Sequence, residues 1–450
     1  MNWRRPSSLP SALSTTQIRA VFFVAIILTL LPAGWSVLTY GSVVASGAAG
    51  GVTGNVTFIS TQGTFSSGQG AGISAIEKRS NKEVWSFPDC PAKCYDVDPL
   101  GNDTVLFVSK ISSSETFEAN NSNAYSWKAT KMNWRTGEIL ERFSVPPDTH
   151  DVDYIGNGSY IVANKVSNEN AEQRWLREAK SHGWVDENRT HDSDLIYIYN
   201  AKTDDITWEY DFRNHYPPTA GNGVANDYTH VNDVDFVKNG SAILANPSNL
   251  DRVVLINRST KRTEWVLGEQ DNHTILNEPR NPTLLSTDPA TVLVADSEND
   301  RVIEYRKDGD RWIQTWVYSG NLDWPRDADR LPNGNTLIVD SGSDRVLEVT
   351  PRRTVEWETN TNRHPHDAER LQYGDEPQGP PMQTILARNS RATTSKKKGG
   401  VVTTIYYGLS GWVLPPWTRH QSFVGLSLAA LALLGWGEFE IYRWQHDCRA

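Results

Sequence analysis

The side chains best suited to chemistry stand at the opening of a repeated sequence unit. The residue just before each Asp-x-Asp step, or its equivalent, is in turn Tyr95, His150, Asn232, Arg280, Arg326 and His366, and His230 lies two positions before Asn232. Arginine presents planar paired donors that match tetrahedral oxyanions. Neutral imidazole is a nucleophile or base near neutral pH. Brought to one place, these groups form an oxyanion site. The aspartates that follow, Asp96, Asp151, Asp233, Asp327 and Asp367, have two readings. They orient a histidine ring and fix its tautomer, or they are structural and accept from backbone amides of the next unit. The competing reading of the whole set is a water-filled polar channel without chemistry.

Widely separated residues meet only if the elements carrying them converge, and the repeats supply that convergence. HDVDYIGNGSYIVAN begins at His150, HVNDVDFVKNGSAILAN at His230, and PRDADRLPNGNTLIVD at Pro325. Each runs from the Asp-x-Asp step through a short apolar strand and an Asn-Gly turn into a second strand, a strong hairpin signal. The second and third continue through a loop ending Asp-Arg to a third strand and a fourth carrying Trp. Weaker copies open at Asp96, Arg280 and Pro365. Four antiparallel strands recurring at this spacing describe blades of a β-propeller, whose first strands line a central channel. The unit at Pro365 stops after one strand, whereas 55–87 has later strands without a first. Joining them closes a ring of six blades over residues 51–375. The insertion Ile111 to Lys128 reads as a loop, and Ser167 to Asp194, with Trp175, Ala179 and His182 at near-helical spacing, reads as a helix and candidate lid. Residues 376–400 read as a linker.

Ile18 to Tyr40 is almost wholly apolar and follows Arg4, Arg5 and Arg19. It reads as a transmembrane anchor with residues 1–17 in the cytoplasm and the propeller outside; a cleaved signal peptide is the alternative. A second membrane-associated segment is expected over 401–445, most apolar from Phe423 to Gly437, as one span or two. Lys396, Lys397 and Lys398 before it run against the positive-inside rule. Sequons at Asn55, Asn102, Asn120, Asn157, Asn188, Asn239, Asn257 and Asn272 all fall between the two apolar regions and fit an external glycoprotein. Cys90 and Cys94 are spaced to close a small disulfide loop outside the cell, while Cys448 is isolated. No metal site and no cofactor are expected. The net charge of −10 argues against nucleic acid as partner. Arg exceeds Lys and Asp is abundant, as in a salt-loving, archaeal host.

The phrase HVNDVDFVKNG followed by LINRSTKRTEWVLG, with the His-Asp-Ala step at His366, resembles the arylsulfotransferase family over roughly Lys82 to Leu371. The resemblance implies a propeller enzyme moving a sulfuryl group from a sulfate ester to an acceptor hydroxyl through a sulfohistidine, without a nucleotide donor. It implies His366 as nucleophile, with His230 the runner-up, and His150, Arg280 and Arg326 completing the catalytic set. Tyr95 and Asn232 would bind substrate, and a cell-surface glycan or a phenol would be the acceptor. The chain departs from the family at Arg280-Asn281-Pro282, where a histidine is usual. A non-catalytic propeller binding glycan or protein is the alternative; a quinone-dependent dehydrogenase ranks last, for want of a carboxylate cluster to hold a metal.

Overall fold

Short half-apolar strands cannot bury their faces singly, so they pair into sheets that stack against one another. The computed structural model describes residues 14–40, 55–63, 70–87, 90, 93–112, 125–165, 180, 194–217, 220, 229–361, 364–386 and 420–447. In it the repeats form six four-stranded antiparallel sheets. Five blades are continuous in sequence. Their innermost strands are β4 (Lys93–Gly101), β8 (Asp151–Gly156), β12 (Val231–Val237), β16 (Pro279–Thr287) and β20 (Pro325–Arg330). The sixth takes its innermost strand, β24 (Pro365–Arg370), from the end of the repeats and β1 (Val56–Thr61), β2 (Gly72–Glu77) and β3 (Lys82–Phe87) from their start. Ile59 lies opposite Ala368 in the antiparallel pairing of β1 with β24. The closure read from the two incomplete ends is therefore present, and it removes an open sheet edge.

Blades meet through apolar faces. Phe58 of the closing blade meets Trp85 and, from the first blade, Trp134 edge-on at 5.8 and 5.5 Å. Two sets of aspartates add polar ties. Asp96 accepts from the Val152 amide at 3.0 Å, Asp151 from Val234 at 2.6 Å, Asp327 from Ala368 at 3.2 Å and Asp367 from Val97 at 2.6 Å. Each bond runs from one blade to the next, which is the structural role of these residues. In the second set, Asp194, Asp251, Asp300 and Asp344 accept from the amides of His230, Glu278, Trp324 and His364 at 2.8, 3.0, 3.1 and 2.9 Å. The last three of these aspartates are those of the recurring Asp-Arg loops, which thus hold the start of the following blade.

Cys90 and Cys94 are joined by a disulfide at the entry to the first blade, Cys94 being the second residue of β4. Part of the expected linker 376–400 is packed. Asp375 and Glu376 enter the central channel. At Gly379 a Cβ would lie 2.0 Å from the Arg330 carbonyl oxygen. The buried Met382, at the head of α2 (Met382–Leu386), donates its amide to the Glu304 carboxylate at 2.9 Å. The expected loop Ile111 to Lys128 is narrower than read: Ile111 and Ser112 end the second strand of the first blade, Tyr125 to Lys128 begin its third, and the rest lies outside the described residues, as does the expected lid helix save for Lys180 and Asp194.

The described residues of the two ends, 14–40 and 420–447, form a unit of their own. In it the start of α1 (Thr15–Tyr40) packs on the end of α3 (His420–Asp447), with Arg19 paired to both Glu440 oxygens at 2.6 Å and Phe22 stacked on Trp436. Among the described residues no helix is long and apolar enough to cross a membrane, so the two expected spans are not met there.

Candidate functional site

The innermost strands begin at one rim, so the residues opening them converge on the axis. In five blades the chain turns into this strand through a left-handed residue: Asp148 (φ 63°), His230 (φ 50°), Glu278 (φ 46°), Trp324 (φ 55°) and His364 (φ 48°). Such backbone is unfavourable outside glycine, and the second set of aspartates holds the last four of these turns by their amides. The result is two tiers of side chains. Tyr95, His150, Asn232, Arg280, Arg326 and His366 form one, and the left-handed residues form the other. His230 belongs to the second tier yet reaches the first.

The three histidines do come together. The His150 ring lies 5.4 Å from that of His230 and 5.5 Å from that of His366, and Tyr95 stacks on His150 at 4.3 Å and tilts against His366 at 4.7 Å. Hydrogen bonds distinguish their roles. Nδ1 of His150 lies 2.8 Å from the Asp148 carbonyl oxygen. A carbonyl only accepts, so Nδ1 carries the proton and Nε2 keeps its lone pair. Nε2 of His230 is 3.3 Å from the Lys165 ammonium, which only donates, so that nitrogen is engaged as an acceptor. His366 is buried, and neither of its ring nitrogens has a hydrogen-bond partner among the described residues.

All three rings are held neutral. Burial lowers each pKa well below the usual histidine range, and neighbouring positive groups add to it: Lys165 and Arg280 for His150 and His230, and Arg326 and Arg280 for His366. Burial likewise depresses Arg326, with Arg280 adding to the effect; its guanidinium lies 3.6 Å over the Trp324 ring, a stacked cation–π contact. Asn232 is buried with both amide atoms lacking partners. Sequence reasoning missed Lys93, Lys165 and Asp148. Lys93 donates to the Tyr95 hydroxyl at 2.9 Å, and that hydroxyl donates to Asp148 at 3.2 Å. Lys165 lies 3.4 Å from Asp148. Lys93 and Asp148 stand two positions before Tyr95 and His150, the offset that His230 already displayed. Lys165 follows a second strand and had no such signal.

Further along the channel the lining turns acidic. Both acidic residues of four of these steps, from Asp151, Asp233, Asp327 and Asp367 onward, gather with Asp96, Asp375 and Glu376 around a narrow cavity of about 20 Å³. Burial pushes Asp235 and Asp367 up to about 7 and Asp375 to about 6. The expectation of no carboxylate cluster is thereby corrected: the acidic residues looked structural because the two positions of each step were read together, and only the first ties blades.

Fold and site together define a six-bladed propeller with a cationic, histidine-bearing mouth above an acidic channel. No family model and no curated protein matches the chain. Among solved structures it is similar to a protein of unknown function from Bacteroides caccae, at 14% identity and TM-score 0.44, over 68% of this chain and 94% of that one. It is also similar to virginiamycin B lyase from Staphylococcus aureus, at 12% identity and TM-score 0.37, over 68% of this chain and 88% of that one. Likeness this remote carries no statement about activity, and the six blades rest on the sheets themselves.

Proposed function

We propose that the protein is a sulfotransferase of the arylsulfotransferase kind, moving a sulfuryl group from a sulfate ester to an acceptor hydroxyl. The observation that supports it is His366: a buried, neutral imidazole with both nitrogens unpartnered, in a mouth shared with Arg280, Arg326 and Lys165. A ring nitrogen of His366 attacks sulfur, the bond from sulfur to the ester oxygen breaks, and the aryl oxide leaves with the electron pair. The acceptor oxygen then attacks the sulfohistidine, the N–S bond breaks, and Nε2 of His150 takes the hydroxyl proton. The arginines and Lys165 hold the sulfuryl oxygens as charge redistributes over them, and Tyr95 and Asn232 bound the substrate.

The location proposed is extracytoplasmic and membrane-tethered. Large apolar side chains stand exposed on the two helices, among them Phe23, Leu28 and Leu31 of α1 and Leu431, Leu434 and Trp444 of α3. A surface so apolar calls for a nonaqueous cover. The acceptor favoured for such an enzyme is a cell-surface glycan rather than a free phenol.

The test is transfer of labelled sulfuryl groups from an aryl sulfate, with folding checked by circular dichroism. His366→Ala should neither take up label nor transfer it, whereas His150→Ala should still take up label and fail to pass it on. A folded His366→Ala protein with full activity would refute the assignment. Sulfate esters that bind to the wild type without ever being turned over would replace it with a non-catalytic binding propeller.

A further inference from the structure

The acidic channel has no part in sulfuryl transfer, and its carboxylates lack neutralising partners. Among the described residues no lysine or arginine lines the cavity there. Asp98, on β4, is 1% exposed, and neither of its carboxylate oxygens is hydrogen-bonded. Asp235, Asp329 and Glu369, which line the cavity, each keep one buried oxygen without a partner. Buried carboxylate oxygens left in this state are costly. We infer that a single hard divalent cation of the calcium type binds in the channel between Asp98, Asp153 on β8 and Asp375 of the segment that follows β24.

The geometry supports this choice of ion. One carboxylate oxygen from each of the three residues lies within 4.8 Å of the others. Oxygens gathered this closely can share one calcium ion, whose bonds are about 2.3–2.6 Å, and a cage built from protein carboxylates suits calcium better than magnesium, which keeps several of its waters. The donors are all oxygen, which suits a hard cation and not zinc or copper. Asp153 and Asp375 both line the narrow cavity, whose volume of about 20 Å³ admits one ion or one water. Asp98 and Asp153 belong to neighbouring blades and Asp375 to the chain beyond the ring, so the ion would join three separate segments.

Full-length protein purified in detergent, stripped with EDTA and dialysed near neutral pH, should bind one calcium ion per chain in titration calorimetry. Its melting temperature should rise with calcium concentration, since a ligand for the folded state alone stabilises by mass action. Asp98→Asn should weaken uptake by more than the roughly 10–100-fold that loss of even an outer-shell partner costs. Asp271→Asn, in the rim group of Asp251, Asp271 and His273, should bind as the wild type does. Asp153→Asn serves in place of Asp98→Asn if the latter does not fold, with the same expectation. Absence of calcium uptake by the wild type would mean that the carboxyl groups share protons instead, and would overturn the inference. So would undiminished uptake by the Asp98 or Asp153 variant, or equal affinity for magnesium.

Discussion

His366 is surrounded by groups that oppose a second positive charge: after burial itself, His150 from the segment before β8, Arg326 on β20, Arg280 on β16 and Lys93 on β4. The ring therefore stays neutral to lower pH than an ordinary histidine, so the acid limb of kcat/KM should fall below about pH 6.5. Arg326→Gln removes one of those charges, so its limb should shift upward while transfer drops by about 10²–10³-fold, as for a lost oxyanion donor. An unshifted limb in that variant would argue against His366 as the titrating group. Stability depends on pH in the same sense. Folded values of the three rings lie below the unfolded ones, so keeping them uncharged adds no cost above about pH 6.5 and destabilises as pH falls through and below it. The identity of these rings was legible in the sequence because ring symmetry places the residue before each step. Lys165 was not, since its reach to His230 depends on the path of a second strand.

The strands were read from their period and turns, and the linking role of the Asp-Arg loops was not, because their bonds cross from one blade to the next and have no local signature. Asp344 shows what such a loop does: it accepts from the amide of His364, whose φ is 48°, two residues before His366. Asp344→Ala leaves that buried amide without a partner, at a cost of about 1–3 kcal/mol. The variant should melt several degrees lower and transfer more slowly, with kcat affected more than KM because the nucleophile is displaced. Asp344→Asn, which still offers an acceptor, should recover most of both. The start of the supposed linker was misread for a similar reason: Pro, Gly and polar residues resemble a tether, yet Gly379 permits close backbone approach and Met382 is buried.

Seen whole, the ring has two unlike rims. The histidine mouth lies where the innermost strands begin. Asn102, Asn157 and Asn239 lie at the opposite rim, in the turns that join three of the innermost strands to their neighbours, and Asn55 lies there just before β1; all four are exposed with positive φ. Mass spectrometry of the protein from its own membrane should find glycan on Asn102, Asn157 and Asn239, and less on Asn257, whose side chain bonds Glu264 and Thr260. Removing the glycans should leave sulfuryl transfer unchanged, since the mouth faces away. Unmodified asparagines at all of these positions would count against an external location.

The closing blade has a consequence for synthesis. His366 rides on the last strand to leave the ribosome, and that strand ties to the first blade through the Asp367 carboxylate and the Val97 amide, 270 residues apart in the chain. A polypeptide that stops before β24 lacks both the seal and the nucleophile proposed for the site. On the proposed mechanism, reactivity toward a sulfate ester is thus withheld until β24 has been made and docked, and copies that stop short of it are chemically silent.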